Sequence, residues 1–347
     1  MRLRERRWQH PPLQPGWIDS PHQTVVLGDL PLESGEIIRD FSISYVTHGT
    51  RAPAGDNVIL VLTAIGSTHH RLDFLIGPDR PLNPEKHFIV CIDAIGNGLT
   101  TSPSNSIAQP DLAFPRFSIR DMVASQRKLL DALGIRRLAA VVGASMGGMQ
   151  ALQWGVSEPD SISSIVALVP MARTRPWSVA MNEVARRILM ADPGWPSGPY
   201  GSGFDAWAAM TRVITNRSPG ALENMAADAV PGLVADVIAT LRKVGPDPLD
   251  WVYQSYAYDA HDVGTTPGFG GDTAAALRTI RAPTLLLVPD LDLYNPVGDA
   301  VEAAALIPDA TLLRLAGNAG HAVAADTSPQ LADIRAAIGA FLLRHAA

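Results

Sequence analysis

The segment of this chain best equipped for chemistry is a serine between glycines, GASMG at 143–147. A serine hydroxyl is a weak nucleophile at neutral pH and needs a neighbouring base to attack a carbonyl carbon. Its setting favours that use. The run RLAAVVGAS (137–145) reads as a buried strand and the residues after Met146 as a helix, the strand–turn–helix context of a nucleophile elbow. Glycines two places before and two after Ser145 let the backbone close tightly while the serine takes a strained conformation. The unpaired N–H groups at the start of the following helix then face any negative charge that develops.

An activated serine calls for a histidine and an acid, expected after it in the order acid, then histidine. LLLVPDLDLYNP (285–296) ends an apolar run in two aspartates, and LLRLAGNAGHAVAAD (312–326) ends another in Gly320-His321. Asp292 is the expected orienting acid, with Asp290 as the alternative, and His321 the expected base. His261 precedes the acid and breaks the order. His69 and His70 are adjacent, which fits neither one strand face nor the i, i+4 spacing of helical metal ligands, so both read as polar surface or pocket residues. The lone cysteine, Cys91, lies in an apolar run and reads as a small buried hydrophobe. Neither a metal nor a cofactor is expected.

The elements that must position these residues follow from the hydrophobic pattern. Apolar runs at 57–65, 87–96, 137–145, 161–170, 282–294 and 310–321 alternate with helical patterns at 118–135, after 146 and at 330–345. That alternation predicts an α/β fold with a mostly parallel sheet flanked by helices. Residues before about Gly28 read as a lead-in. The stretch 171–281 is helical, rich in Trp, Met and Ala, and too long for a simple connection. It is expected to form a cap over the C-terminal edge of the strands, leaving 1–170 and 282–347 as the core domain.

Bulk composition narrows the partners. The 347 residues are 47% hydrophobic and 18% charged, with a net charge of −6, so no nucleic-acid partner is expected. One cysteine rules out an internal disulfide framework. The arginine-rich start lacks the apolar core of a secretory signal, and no apolar run approaches the roughly 18 residues of a membrane span. The expected location is the cytoplasm, with no membrane partner.

Beyond these patterns, the chain resembles the homoserine O-acetyltransferase family of α/β-hydrolase-fold enzymes from about residue 35 onward. The matching pieces are IGPDRPLNPEKHFIVC (76–91), FPRFSIRDMVASQRKLLDALGI (114–135), VVGASMGGMQALQW (141–154) and NEVARRILMADPGW (182–195). The resemblance implies an α/β-hydrolase fold with Ser145, Asp292 and His321 as a triad. TAIGS (63–67) stands where the family has its loop after the third strand, which assigns the oxyanion hole to the backbone N–H groups of Ile65 and Met146. The resemblance also implies a homodimer formed through the cap.

The departures carry the expected function. Where the family has an arginine and a tyrosine in a cap helix, AWAAMTRVITN (206–216) has Ala209 and Asn216. The family's G-H-D reads Gly320-His321-Ala322, and its glycine-rich N-x-L-G-G-C loop is replaced by DAIGNGLTTSPSNS (93–106). Homoserine is a zwitterion that needs a cation for its carboxylate and an anion for its ammonium. Both grips are missing, unless Arg212, one turn from Ala209, supplies the first. Trp207, with Trp177 and Trp195, is expected to suit an uncharged alcohol in the pocket near Ala209, Arg212 and Ala322, the alternative being that these tryptophans are core aromatics. The expectation is therefore a serine esterase for short acyl esters, acetates foremost. The alternative is an O-acyltransferase that takes its acyl group from a coenzyme A thioester and gives it to a less charged acceptor.

Overall fold

In the computed structural model, which describes residues 10–346, the apolar runs pair as one eight-stranded sheet. Its strands are β1 (Gln23–Pro31), β2 (Ile37–His48), β3 (Val58–Leu62), β4 (Phe88–Ile92), β5 (Ala140–Ala144), β6 (Ile165–Leu168), β7 (Thr284–Pro289) and β8 (Ala310–Leu315). The order across the sheet is β1-β2-β4-β3-β5-β6-β7-β8. From β4 to β8 every pairing is parallel, and the residues of β3, β5, β6 and β7 are all buried. Continuous Val, Ile and Leu runs are what a sheet covered on both faces requires. This is the α/β-hydrolase architecture expected from the sequence.

Two strands were not foreseen. β1 and β2 form an antiparallel pair on the β4 edge, so ordered sheet begins at Gln23, within the stretch read as a lead-in. The register of β1 shifts on both sides of Gly28, which sits at φ +72°, and that interruption hides its alternation. Cys91 is fully buried in β4, as read.

Helices α1 (Ile119–Ala132), α2 (Met146–Ser157) and α9 (Leu331–His345) belong to the core pattern. A reciprocal capping box between Ser118 and Asp121 starts α1, and Gly134 at φ +67° ends it. Between β6 and β7 the chain runs through α3 (Pro176–Met190), α4 (Ser202–Ala209), α5 (Val230–Val244), α6 (Pro248–Asp259) and α7 (Thr273–Arg278). The remaining helix, α8 (Val297–Leu306), joins β7 to β8. A π-helical turn, Met210–Thr215, continues α4. Arg186 ties α3 to α6, pairing with Asp259 at 2.7 Å and donating to Ser255 Oγ at 3.0 Å. Among the described residues, no helix is long and apolar enough to cross a membrane.

Candidate active site

Ser145 occupies the turn between β5 and α2 at φ 56°, ψ −121°, a left-handed conformation costly for any residue but glycine. The surroundings enforce it. A Cβ on Gly143 would lie 2.1 Å from the Gly147 carbonyl oxygen, and one on Gly147 would lie 2.6 Å from that of Leu62. Only glycine fits at either place, so the G-x-S-x-G spacing is a steric demand of this turn. The Ser145 amide also donates to the Leu168 carbonyl at 2.9 Å, holding the elbow against the end of β6.

His321 reaches Ser145 from the turn after β8. Its Nε2 is 2.9 Å from Ser145 Oγ and its Nδ1 is 2.7 Å from Asp292 Oδ2. A carboxylate only accepts, so Nδ1 carries the proton and, in the neutral ring, Nε2 accepts from the serine. Gly320, at φ +69°, lets this turn pack against Arg217 and Ser218, because a Cβ there would sit 2.6 Å from the Ser218 amide. The second oxygen of Asp292 accepts from the amides of Tyr294 at 2.7 Å and Asn295 at 2.9 Å. All three residues are buried: Ser145 is 2% exposed, Asp292 4% and His321 6%. Asp290, the alternative acid, is exposed and accepts a long bond from the Gly317 amide, at 3.3 Å. His261 is also buried, but its ring faces the Met171 backbone and burial pushes its pKa down to about 3.

The residues 63–67 pass beside the elbow. Gln150 of α2 donates to the Thr63 carbonyl at 3.0 Å, and Gln254 of α6 accepts from the Gly66 amide at 2.8 Å. The turn carrying Ile65 is thus pinned by α2 and by α6. Met146, as the first residue of α2, has an N–H with no partner inside its own helix. Tyr258 of α6 lies beside Ser145 and donates to Asn295 Oδ1; it also stacks on Tyr294, whose ring stands edge-on to His321 at 5.1 Å. Burial raises the phenol pKa of both tyrosines, keeping them neutral donors. None of Gln254, Tyr258 and Asn295 was singled out in the sequence.

A family model described as the alpha/beta hydrolase fold matches residues 57–326. The chain belongs to the α/β-hydrolase fold family. It is similar to the "probable esterase" of Corynebacterium glutamicum, at 32% identity over 319 residues, covering 88% of this chain and 90% of that protein. It is equally similar to the homoserine O-acetyltransferase of Salinibacter ruber, at 33% over 332 residues, covering 86% of this chain and 92% of that one. Among solved structures, an acetylester hydrolase from Corynebacterium glutamicum superposes with a TM-score of 0.86 at 29% identity, over 93% of this chain and 96% of that one.

The pocket residues read from the sequence separate in this α/β hydrolase. Ala322 follows His321, and its amide donates to the Asn216 carbonyl at 2.8 Å, so the two altered positions meet. Arg212 lies on the π-helical turn near Tyr294, and its charge also reaches Arg71. Burial lowers both guanidinium pKa values. That of Arg71 falls to about 10, with Arg212 contributing and Asp326 opposing. Ala209 ends α4 and is half-buried. Trp207 is a correction. It is fully buried against Phe204 and Trp251, with ring centroids 5.3 Å away in both cases, and is a core aromatic rather than a pocket wall. Trp177 is 53% exposed and donates to the Leu293 carbonyl at 2.7 Å, on the outside of the acid loop. A cavity of about 740 Å³ adjoins the turn at 65–66, lined by Gly66, Ser67, Arg71 and Asn97 among others; Ser145, His321 and Asp292 do not line it.

Proposed function

We propose that this hydrolase cleaves short acyl esters, acetates foremost, through an acyl-enzyme on Ser145. The observation that carries the reading is the unbroken hydrogen-bonded chain from Asp292 through His321 to Ser145. As Oγ bonds to the ester carbonyl carbon, His321 Nε2 takes the serine proton and the carbonyl becomes an oxyanion between the Ile65 and Met146 amides. The carbon–oxygen bond to the alcohol then breaks, and the alcohol leaves with the proton from His321. Water repeats the sequence on the acyl-enzyme and releases the acid. Water as acceptor is supported by Ala322. The residue after His321 offers no carboxylate to an ammonium group, and Asp259, near Tyr294, is already held by Arg186 and Asn182.

The experiment offers p-nitrophenyl acetate in one series and acetyl-CoA with homoserine in another. Rapid p-nitrophenol release without homoserine-dependent thiol release is the expected result; the reverse would overturn it. One observation favours a second reading. Arg212, near Tyr294, and Arg71 carry two guanidinium groups within electrostatic range of each other, and neither makes a salt bridge among the described residues. Such a pair would hold an acceptor that carries a carboxylate but needs no ammonium grip.

We also propose that two copies pair through the cap. Leu233, Val237 and Leu241 share one half-buried face of α5, Leu241 packing against the core, and no residue of the helix is fully buried. Light scattering on the eluted protein should return twice the mass of one chain; a single-chain mass would contradict the pairing.

A further inference from the structure

Five of the nine histidines, His10, His22, His48, His69 and His70, gather where the chain before β1 crosses the 3-10 turns His69–Leu75. The reaction at Ser145 uses none of them. His69 Nδ1 lies 3.1 Å from Asp93 Oδ2, and His70 Nδ1 lies 2.6 Å from Asp73 Oδ2. Both carboxylates are anchored in turn. Asp93 accepts from Ser44 Oγ at 2.8 Å and Asn97 Nδ2 at 2.9 Å, and Asp73 accepts from the Ile18 amide at 2.8 Å. A carboxylate behind Nδ1 fixes the tautomer and turns Nε2 outward as a basic donor atom, the support that metal-ligating histidines use.

The outward atoms converge. One ring nitrogen each of His10, His22 and His69 lie within 4.8 Å of one another. His70 Nε2 stands 2.9 Å from His10 Nε2, and Trp17 stacks on the His70 ring at 4.1 Å. His69 Nε2 is buried and has no hydrogen-bond partner among the described residues. A buried acceptor left unpaired costs about 1–3 kcal/mol, which a network built only for hydrogen bonding would avoid.

We propose that His10, His22 and His69 form a binding site for a divalent transition-metal ion of the Zn²⁺ type, with His70 as the adjacent donor. Imidazole nitrogens suit Zn²⁺, Ni²⁺ and Cu²⁺ rather than Mg²⁺ or Ca²⁺. At a Zn–N distance of about 2.1 Å, two ligands on a tetrahedral ion lie roughly 3.4 Å apart, so the three rings close by about an ångström on binding. The charge of the ion is balanced from behind by Asp93 and Asp73. His10 and His22 come from the chain before β1, while His69 follows the turn that carries Ile65. A bound ion would therefore clip the start of the chain onto the segment beside the elbow and add its binding free energy to folding. Adjacency in sequence spoke against His69 and His70 as joint ligands; the fold supplies the other ligands from elsewhere.

The test uses the full chain, stripped with a chelator and titrated calorimetrically with ZnCl₂. One Zn²⁺ per chain, with micromolar or tighter affinity, is the expected result. His22→Gln and His10→Gln should each weaken it at least about tenfold. In parallel, Zn²⁺ should raise the melting temperature of the unmodified chain but not of His22→Gln, with circular dichroism confirming that the variant folds. His345→Gln, on α9, should bind as the parent does. An absence of saturable binding to the unmodified chain, or binding unchanged in both His10→Gln and His22→Gln, would overturn the site.

Discussion

Replacing Ser145 with alanine is expected to lower kcat for p-nitrophenyl acetate by about 10⁴- to 10⁶-fold while leaving the fold intact. At about 1.4 kcal/mol per tenfold, that is roughly 5–8 kcal/mol of transition-state stabilisation. Without Oγ no covalent intermediate forms, and only oxyanion stabilisation and binding remain. Stability should change little. Serine and alanine both carry a Cβ at φ 56°, so the strain of the elbow is common to the two, and the Ser145 amide still bonds to Leu168. Steady-state kinetics with a thermal melt on the same preparation measure both quantities. Activity within tenfold of the parent would remove Ser145 from the reaction.

The second large effect belongs to Asp292→Asn, expected to cost about 10⁴-fold in kcat. The reason lies in the bonds of its two oxygens. Oδ1 receives the Tyr294 and Asn295 amides, so an asparagine must keep its carbonyl oxygen there. Its NH₂ then faces His321 Nδ1, which has to become an acceptor. The ring proton moves to Nε2, and the base can no longer accept from Ser145. Asp290→Asn, on the exposed side of the same loop, should stay within about twofold, since only side chains fixed at the reacting centre carry large factors. Equal losses in the two variants would mean that the acid has been wrongly assigned.

Much of this site was legible because close packing forces it into the sequence. Gly143 and Gly147 are spaced by the clash each would otherwise make, and the strands around them are continuous apolar runs. The choice between Asp290 and Asp292 was less legible. β7 ends at Pro289, so strand alternation does not extend to either residue, and the turn amides of Tyr294 and Asn295 make the selection. Strand ends were overrun for a related reason: apolar residues of the runs at 161–170 and 87–96 continue past the last ladder bond into loops that are also buried.

What stayed hidden depends on contacts between distant segments. Gln254 and Tyr258 reach the elbow only because α6 crosses above it, more than one hundred residues after Ser145 in the chain. Trp207 looked like a pocket wall because a tryptophan in a helical cap gives no sign of which way it faces; it faces Trp251. The histidine cluster joins residues 10, 22 and 69, which share no periodicity and meet only where two chain segments cross.

The central claim is that an acyl group on Ser145 goes to water. Its most direct test is to load the enzyme with p-nitrophenyl acetate, quench, and map the acetyl group by peptide mass spectrometry. The decay of that species is then followed in buffer alone and with homoserine added. An acetyl group on Ser145 that decays at one rate in both, yielding acetate, is the predicted result. Faster decay with homoserine, with O-acetylhomoserine as the product, would contradict it.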